Sequence, residues 1–176
     1  MDAPEVIGHG SPMVEQFGEY RRRWPPELNA FPECLIESWV YRHWAQFRIE
    51  WMPQGALNWH YEKKSFSNDQ IMQIAHFESD LRTMDYWGDQ LFVNRARRGR
   101  WLAKHMLEHG TTPVPILVLR AGANVRHPRA FEGERILEPY QIVEGHMRLS
   151  YLRGMIRHKY SALKENHDVW FATSGI

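Results

Sequence analysis

The sequence predicts an α+β protein, in which a small mixed sheet with packed helices is preceded by a mostly helical N-terminal half. Apolar residues recur at helical spacing within 33–94, whereas short apolar runs bounded by Pro and Gly at 113–119 and 140–144 are typical of buried strands. The chain has 176 residues, of which 43% are hydrophobic and 13% aromatic. This length and composition predict one compact domain, or one domain with an appendage, and exclude an intrinsically disordered chain.

The N-terminal half divides into two predicted parts. Residues 1–32 are rich in Gly and Pro and are predicted to be an irregular lead-in. Residues 33–94 are predicted to be helical, because apolar residues after Pro32 recur at i, i+3, i+4 and i+7, and Asn68-Asp69 suits the N-cap of a second helix. The second helix would present an apolar stripe of Ile71, Ile74, Phe77, Leu81 and Met84. The spacing of the tryptophans in this part favours a core role over base stacking for Trp39, Trp44, Trp51 and Trp59.

The C-terminal part, residues 95–176, is predicted to form the sheet. A helix over 95–108 ends at Gly110 and turns Trp101, Leu102 and Met106 inward. The elements that follow are a buried strand at 113–119, a long polar loop at 120–139, a strand at 140–144, a glycine turn, a helix at 146–157 and a strand at 169–173. This order is typical of helices packed around a small sheet.

The net charge of +1 conceals two oppositely charged halves. Residues 1–94 hold 8 Lys and Arg against 14 Asp and Glu, whereas residues 95–176 hold 14 against 7. A basic half of this kind attracts phosphates.

The single cysteine excludes an internal disulfide, the first residues lack a signal-peptide pattern, and no apolar run reaches the ~18 residues of a membrane span. These features predict a cytoplasmic protein without membrane insertion.

The segment Glu144-Gly145-His146-Met147-Arg148 is the strongest functional signal. A glycine between a strand end and a helix start leaves the first helical N–H groups without intrahelical partners, where the helix dipole favours an anion. We expect Gly145 and the N–H groups of His146, Met147 and Arg148 to hold a phosphate, Arg148 to neutralise its charge, and His146 to bond it or move a proton. Glu144 is expected to hold Mg²⁺ or act as a base, or to pair with a neighbouring Arg instead. The alternative for the whole segment is a plain tight turn.

Gly110, Thr111 and Thr112 are a second candidate ligand contact. They follow the predicted helix over 95–108 and are expected to contact a base or ribose at the same cleft, or to form only a helix C-cap and turn. The ten histidines form no HExxH motif or tight His/Cys cluster, so no zinc site is predicted.

Four arginines lie within six residues at Arg95, Arg97, Arg98 and Arg100. They are expected to bind DNA phosphates, or to form a solvated helix start. Cations at a helix N-terminus oppose the helix dipole, which indicates a use beyond helix formation. Arg153 and Arg157, one helical turn apart, would extend this track or face water.

The C-terminal part resembles the ParB/sulfiredoxin superfamily over about residues 95–174. Leu102 to Gly110 (LAKHMLEHG), followed by Thr111 to Val118 (TTPVPILV), is similar to the family's "LA-x-x-I-x-x-x-G…P-I-x-V" helix and strand. Tyr140 to Tyr151 (YQIVEGHMRLSY) is similar to the second signature, a strand followed by Gly-x-x-Arg and a helix, and Asp168-Val169-Trp170 lies where the closing strand would begin. Residues 1–94 are not covered.

The resemblance implies nucleotide-phosphate binding at the Gly-x-x-Arg turn, used in different branches for ATP or CTP hydrolysis, phosphoryl transfer or nuclease activity on DNA. Sulfiredoxin members carry a catalytic Cys after the glycine, whereas this chain has His146, so sulfinic acid reduction is not expected. Chromosome-partitioning members have Glu-Arg-Arg there and a downstream helix-turn-helix domain, whereas this sequence has His-Met-Arg and ends at Ile176, so centromere clamping is not expected. The Asp-Gly-His-His-Arg turn of the superfamily's free-serine kinases is closer, with Met147 in place of one histidine.

Two functional hypotheses follow. The first is a nucleotide-binding protein that uses Mg²⁺ and hydrolyses ATP or a similar nucleotide, or transfers its phosphate, with DNA-binding or nuclease activity as a further expectation. Small stand-alone members of the superfamily occur on mobile elements, including plasmid fertility-inhibition factors, and by analogy this setting is expected. The second is a non-catalytic regulator or inhibitor that binds a protein partner through its acidic, aromatic N-terminal half. Under the first hypothesis Arg148→Ala is expected to abolish nucleotide binding and to leave the fold intact, because a surface arginine at a helix start contributes little to stability.

Overall fold

A computed structural model describes residues 2–76, 78–120, 125, 128 and 138–174, with the backbone alone at 78–80. The chain divides into two compact units, one from the N-terminus to Tyr61 and one from Glu62 to Ser174. The sequence places the division between residues 94 and 95. The structure places it earlier because residues 62–94 contribute strands and helices to the unit that holds the C-terminal sheet.

The N-terminal unit consists of short helical segments. Its α-helices are α1 (Phe17–Arg22), α2 (Glu33–Leu35) and α3 (Trp44–Gln46); π-helical turns continue α2 and α3 at Ile36–Tyr41 and Phe47–Trp51, and 3-10 turns lie at Pro26–Leu28, Met52–Gln54 and Ala56–Asn58. The predicted helix after Pro32 is therefore helical but interrupted at Arg42 and His43. The predicted lead-in is irregular except for α1 and one 3-10 turn.

The tryptophans of this unit form its core, as their spacing predicts. Trp39, Trp44, Trp51 and Trp59 are each at most 6% exposed. The Trp39 ring meets Phe47 and Trp51 edge-on, with centroids 4.8 and 5.8 Å apart, an arrangement that aromatic quadrupoles favour. These buried rings are therefore core residues, and a protein partner of the N-terminal half stays a prediction.

The C-terminal unit contains a five-stranded mixed sheet, which confirms the predicted fold class. The strands are β1 (His60–Ser67), β2 (Ile74–Ala75), β3 (Ile116–Arg120), β4 (Tyr140–Glu144) and β5 (Asn166–Thr173), in the order β1-β5-β3-β4-β2. β3 pairs antiparallel with β4 and parallel with β5, and β2 pairs parallel with β4. Ile116 to Leu119 are fully buried, as expected for a continuous apolar run in a strand covered on both faces.

Two strands lie in the part predicted to be helical. The single helix expected after Asn68 is replaced by α4 (Asn68–Met72), β2 and α5 (Glu78–Asp89). Ser67 rather than Asn68-Asp69 caps α4, because Ser67 Oγ accepts from the Gln70 N–H and the Gln70 side chain accepts from the Ser67 N–H. β2 forms because the buried Ile74 pairs with Tyr140, far along the chain. Local periodicity does not reveal such a pairing.

The remaining helices are α6 (Trp101–His109) and α7 (His146–Arg157). α7 and the C-cap of α6 at Gly110 agree with the prediction, but α6 begins at Trp101 instead of residue 95, after a turn in which Arg95 has a φ of 58°. Trp101 is 68% exposed and not turned inward, whereas Met106 is buried as predicted. The predicted loop at 120–139 lies mostly outside the described residues. In the part of the chain that the structure describes, no helix combines the length and apolar character of a membrane span.

α5 and α7 cross at two glycines. A Cβ added to Gly88 would lie 2.2 Å from Ser150 O, and one added to Gly154 would lie 2.5 Å from Gly88 O. Only glycine permits this approach of the two backbones.

Arg153 and Arg157 connect the same two helices through ion pairs. Arg153 Nε lies 2.9 Å from Asp85 Oδ1, and Arg157 Nη1 lies 2.6 Å from the same oxygen. Burial by itself would raise the pKa of Asp85, but the two guanidinium groups outweigh it and lower this pKa. The expectation that these arginines extend a phosphate track or face water is therefore wrong.

Candidate functional site

The turn between β4 and α7 has the geometry that the sequence predicts. Gly145 caps α7 with a φ of 97°, a conformation that favours glycine. Although Gly145 occupies the N-cap position, it has no side chain that could accept a hydrogen bond from the first helical N–H groups. A Cβ at this position would also lie 2.8 Å from Ile116 Cγ2 and 3.1 Å from two guanidinium nitrogens of Arg148. Both the conformation and the packing therefore require glycine.

Arg148 is buried inside this turn, which corrects the expectation of a surface arginine. Only 9% of the residue is exposed. Nη1 donates to Val114 O at 2.9 Å and to Pro115 O at 3.1 Å, and Nη2 is ion-paired with Glu144. The side chain therefore connects the residues that precede β3, through Val114 O and Pro115 O, with Glu144 at the end of β4. Of the two alternatives for Glu144, the structure shows the pair with a neighbouring arginine.

His76 lies beside His146 and was not singled out in the sequence. β2 and β4 are parallel, so the residues that follow them emerge at the same edge of the sheet. The two imidazole centroids are 5.3 Å apart, with His76 5% exposed and His146 half-buried. The sequence does not reveal this neighbour because β2 has only two residues and lies in a stretch with helical periodicity.

Gly110 and Thr111 belong to a different hydrogen-bonded cluster. Gly110 has a φ of 69°, and a Cβ there would lie 1.8 Å from a backbone oxygen. Thr111 Oγ1 lies 2.8 Å from His167 Nδ1, and His167 Nε2 lies 3.0 Å from Asn68 Oδ1. Burial lowers the pKa of His167, which favours its neutral form. The C-cap alternative therefore accounts for Gly110, while a contact between the half-buried Thr112 and a nucleotide stays a prediction.

The four arginines of 95–100 divide into two anchored and two exposed residues. The Arg97 guanidinium lies 4.6 Å from the Trp87 ring centroid. Arg98 Nε donates to a main-chain oxygen seven residues earlier at 2.6 Å. Arg95 and Arg100 are exposed. The segment therefore precedes α6 as an anchored turn and does not form its first helical turn.

The residues of the turn do not form a resident magnesium site by themselves. Among the described side chains, no group of three or more His, Cys, Asp and Glu is placed to hold a metal ion. The turn offers one carboxylate, Glu144, and Arg148 neutralises it. Because Mg²⁺ prefers one or two carboxylates together with phosphate oxygens, it would reach this turn with a bound triphosphate. The metal role of Glu144 stays a prediction.

No protein-family model matches this chain, and no curated protein or solved structure matches it. The resemblance to the ParB/sulfiredoxin superfamily therefore rests on the order and spacing of the motifs, and the function that it implies is a proposal.

Proposed function

We propose that this chain is a ParB/sulfiredoxin-like nucleotide-binding protein. It holds the phosphates of ATP, or of a similar nucleoside triphosphate, at the β4–α7 turn and hydrolyses the nucleotide or transfers its terminal phosphoryl group. The proposal includes a cytoplasmic location, since Cys34 is the single cysteine. The observation that carries it is the convergence of His76, His146 and the N-terminus of α7 at one edge of the sheet.

Two features of this edge favour an anion. Ligands of open sheets bind outside the carboxyl ends of parallel strands, where β2 and β4 deliver His76 and the Gly145 turn. α7 has 12 residues, enough for its aligned peptide dipoles to place positive potential at the turn. The imidazoles beside the helix end add hydrogen-bond donors when they face a phosphate.

Arg148 acts in this proposal as a positioning residue. Its bonds to Val114, Pro115 and Glu144 hold the turn in the conformation that presents the N–H groups of residues 146 to 148. Those groups stabilise negative charge that develops on the phosphoryl oxygens during transfer. The terminal phosphorus forms a bond to an oxygen of water or of a hydroxyl acceptor as its bond to the bridging oxygen breaks. His146 takes up the proton that the acceptor loses.

Calorimetric titration with ATP, CTP and GTP, each with and without Mg²⁺, tests the proposal together with phosphate release. We expect one of the nucleotides to bind and to be turned over. Binding without turnover supports the anion site and removes catalysis from the proposal. If none of them binds or raises the melting temperature, the proposal is wrong.

His146→Glu separates binding from folding. A carboxylate in the first turn of α7 interacts favourably with the helix dipole but repels a phosphate. We expect an unchanged or slightly higher melting temperature and at least about tenfold weaker nucleotide binding. His105→Glu is the matched control, since His105 is also a half-buried helical histidine. Equal affinity of both variants and the native protein would place the nucleotide elsewhere.

A further inference from the structure

A strip of cations around an exposed indole lies at the start of α6, on a different element from the β4–α7 turn. We call it the basic strip and define it as Arg95, Arg97, Arg98, Arg100, Trp101 and Lys104. No acidic residue occurs within 95–104. None of the five cations forms an ion pair with a carboxylate in the described ranges. The carboxylates that the structure describes therefore leave the positive charge of the strip unpaired.

Arg97 and Arg98 pack against neighbouring rings, and the other cations of the strip remain exposed. Arg97 stacks on the Trp87 ring, and Arg98 combines a main-chain hydrogen bond with a position 5.6 Å from the centroid of the Phe92 ring. These contacts hold the turn before α6 against the end of α5. The three exposed cations, Arg95, Arg100 and Lys104, are left in solvent before and after Trp101. The N-terminus of α6 adds positive potential at the same place.

Trp101 is the unusual residue of the strip. It is 68% exposed, whereas the five tryptophans of the N-terminal unit are each at most 6% exposed. An exposed indole between cations matches the requirements of a single-stranded nucleic acid, whose unpaired bases stack on aromatic rings while cations hold the phosphates. In a duplex the base faces are already stacked and cannot cover this ring.

We propose that the basic strip binds single-stranded DNA, with an unpaired base stacked on Trp101 and phosphates held by Arg95, Arg100 and Lys104. This goes beyond nucleotide binding at the β4–α7 turn and does not depend on it. We choose DNA over RNA because, Asn94 apart, the side chains of 93–104 carry no oxygen that would accept the hydrogen of a 2′-hydroxyl. The only side-chain carbonyl or carboxylate oxygen in 93–104 is Asn94 Oδ1, and it already accepts a hydrogen bond from the Ala96 N–H at 3.0 Å.

Fluorescence anisotropy of the full chain with a labelled oligothymidylate tests the stacking contact. Trp101→Ala is expected to weaken binding about tenfold, within the range measured for base–aromatic stacking. Val93→Ala is the matched control, because Val93 is a neighbouring apolar residue that is 76% exposed. We expect that control to bind like the native protein. Equal affinity of Trp101→Ala and the native protein would overturn the proposal.

The salt dependence of the same binding tests the phosphate contacts. Three exposed cations predict a slope of log K against log salt near about −2, since each phosphate contact on a single strand contributes about −0.7. Replacing Arg95, Arg100 and Lys104 together with glutamine should remove most of this slope. Arg48→Gln, an exposed arginine of the N-terminal unit, should leave it unchanged. A slope that the triple variant keeps would refute these contacts.

Comparison of ligands and of assembly completes the test. We expect single-stranded DNA to bind at least as tightly as RNA of the same sequence and more tightly than the duplex. We also expect single-stranded DNA to quench the fluorescence of Trp101, and this quenching should be absent in Trp101→Phe. Tighter binding of RNA or of the duplex contradicts the proposal. The proposal would also be wrong if the native chain binds no DNA but dimerises with rising concentration, and Trp101→Ala abolishes the dimer. That result would assign the strip to self-association.

Discussion

Replacing Arg148 with methionine removes a guanidinium on which three acceptors of the β4–α7 turn depend. Arg148 Nη1 donates to Val114 O and Pro115 O, and Nη2 pairs with Glu144. Methionine retains much of the side-chain volume but donates no hydrogen bond. After the substitution the Glu144 carboxylate keeps its charge in a site where only 14% of its side chain is exposed.

The expected loss of unfolding free energy follows from these contacts. Removing one partner of a buried ion pair costs about 3–5 kcal/mol, mostly because the other charge remains desolvated. Water reaches part of Glu144, so the lower end of this range, about 3 kcal/mol, is expected. This is a large fraction of the 5–15 kcal/mol typical of a folded domain.

A double-mutant cycle with Glu144→Gln measures the pair itself. Once the carboxylate is gone, Arg148→Met no longer leaves a buried charge, so the double variant should be more stable than Arg148→Met alone. Urea unfolding should be followed by far-UV circular dichroism, because five of the eight tryptophans lie in the N-terminal unit and their fluorescence reports mainly on that unit.

The result that contradicts this reasoning is a small effect. If Arg148→Met lowers the unfolding free energy by less than about 1 kcal/mol, the cost of a typical solvated hydrogen bond, then the guanidinium is hydrated and the pair contributes little. A double variant less stable than Arg148→Met would likewise exclude an uncompensated carboxylate as the cause.

Three further predictions concern the C-terminal unit. Gly154→Ala should lower the unfolding free energy by about 2 kcal/mol, because its Cβ would lie 2.5 Å from Gly88 O. Gly18→Ala is the control and should not lower the unfolding free energy, because nothing lies within 4 Å of its Cβ. Equal urea midpoints for the two variants would contradict this prediction. Burial lowers the pKa of His167, so stability is complete above the unfolded value of about 6.5 and falls as the pH drops toward the lowered folded value, by at most about 1.4 kcal/mol per pH unit. His167→Gln should flatten that part of the pH profile of the urea midpoint, and an unchanged profile would exclude His167 as its source. The pKa of Asp85 is lowered, so its contribution to stability is present above the unfolded value of 3.8 and is lost as the pH falls below it. Asp85→Asn should therefore make the urea midpoint less sensitive to acid below that pH. An equally steep acid transition in this variant would show that other carboxylates dominate.

The β4–α7 turn could be predicted because its signals are local. An alternating strand, a glycine and a helical apolar stripe follow one another within 18 residues, from Tyr140 to Arg157, and each reports on its own backbone conformation. The apolar run at Ile116 to Leu119 is equally local, since continuous hydrophobicity is what a strand buried on both faces needs. The fold class follows from these elements taken together.

The burial of Arg148 could not be read from the same stretch. A helix start preceded by glycine is ordinarily exposed, and the groups that enclose this guanidinium, Val114 O and Pro115 O, come from the entry of another strand. For the same reason the sequence gives no indication of His76 at the turn, and the prediction of an inward Trp101 is wrong. β2 exists only through its pairing with β4, and α6 begins late because Arg97 and Arg98 pack the preceding turn on rings of residues 87 and 92.

The amino-acid sequence alone therefore specifies the α+β class, the aromatic core of the N-terminal unit and the glycine turn, because these depend on composition, periodicity and backbone preference along short segments. The tertiary structure decides which charges at the turn are already paired, which histidines meet there and which cations remain in solvent. Those outcomes depend on contacts between residues far apart in the chain, whose energies no local pattern contains.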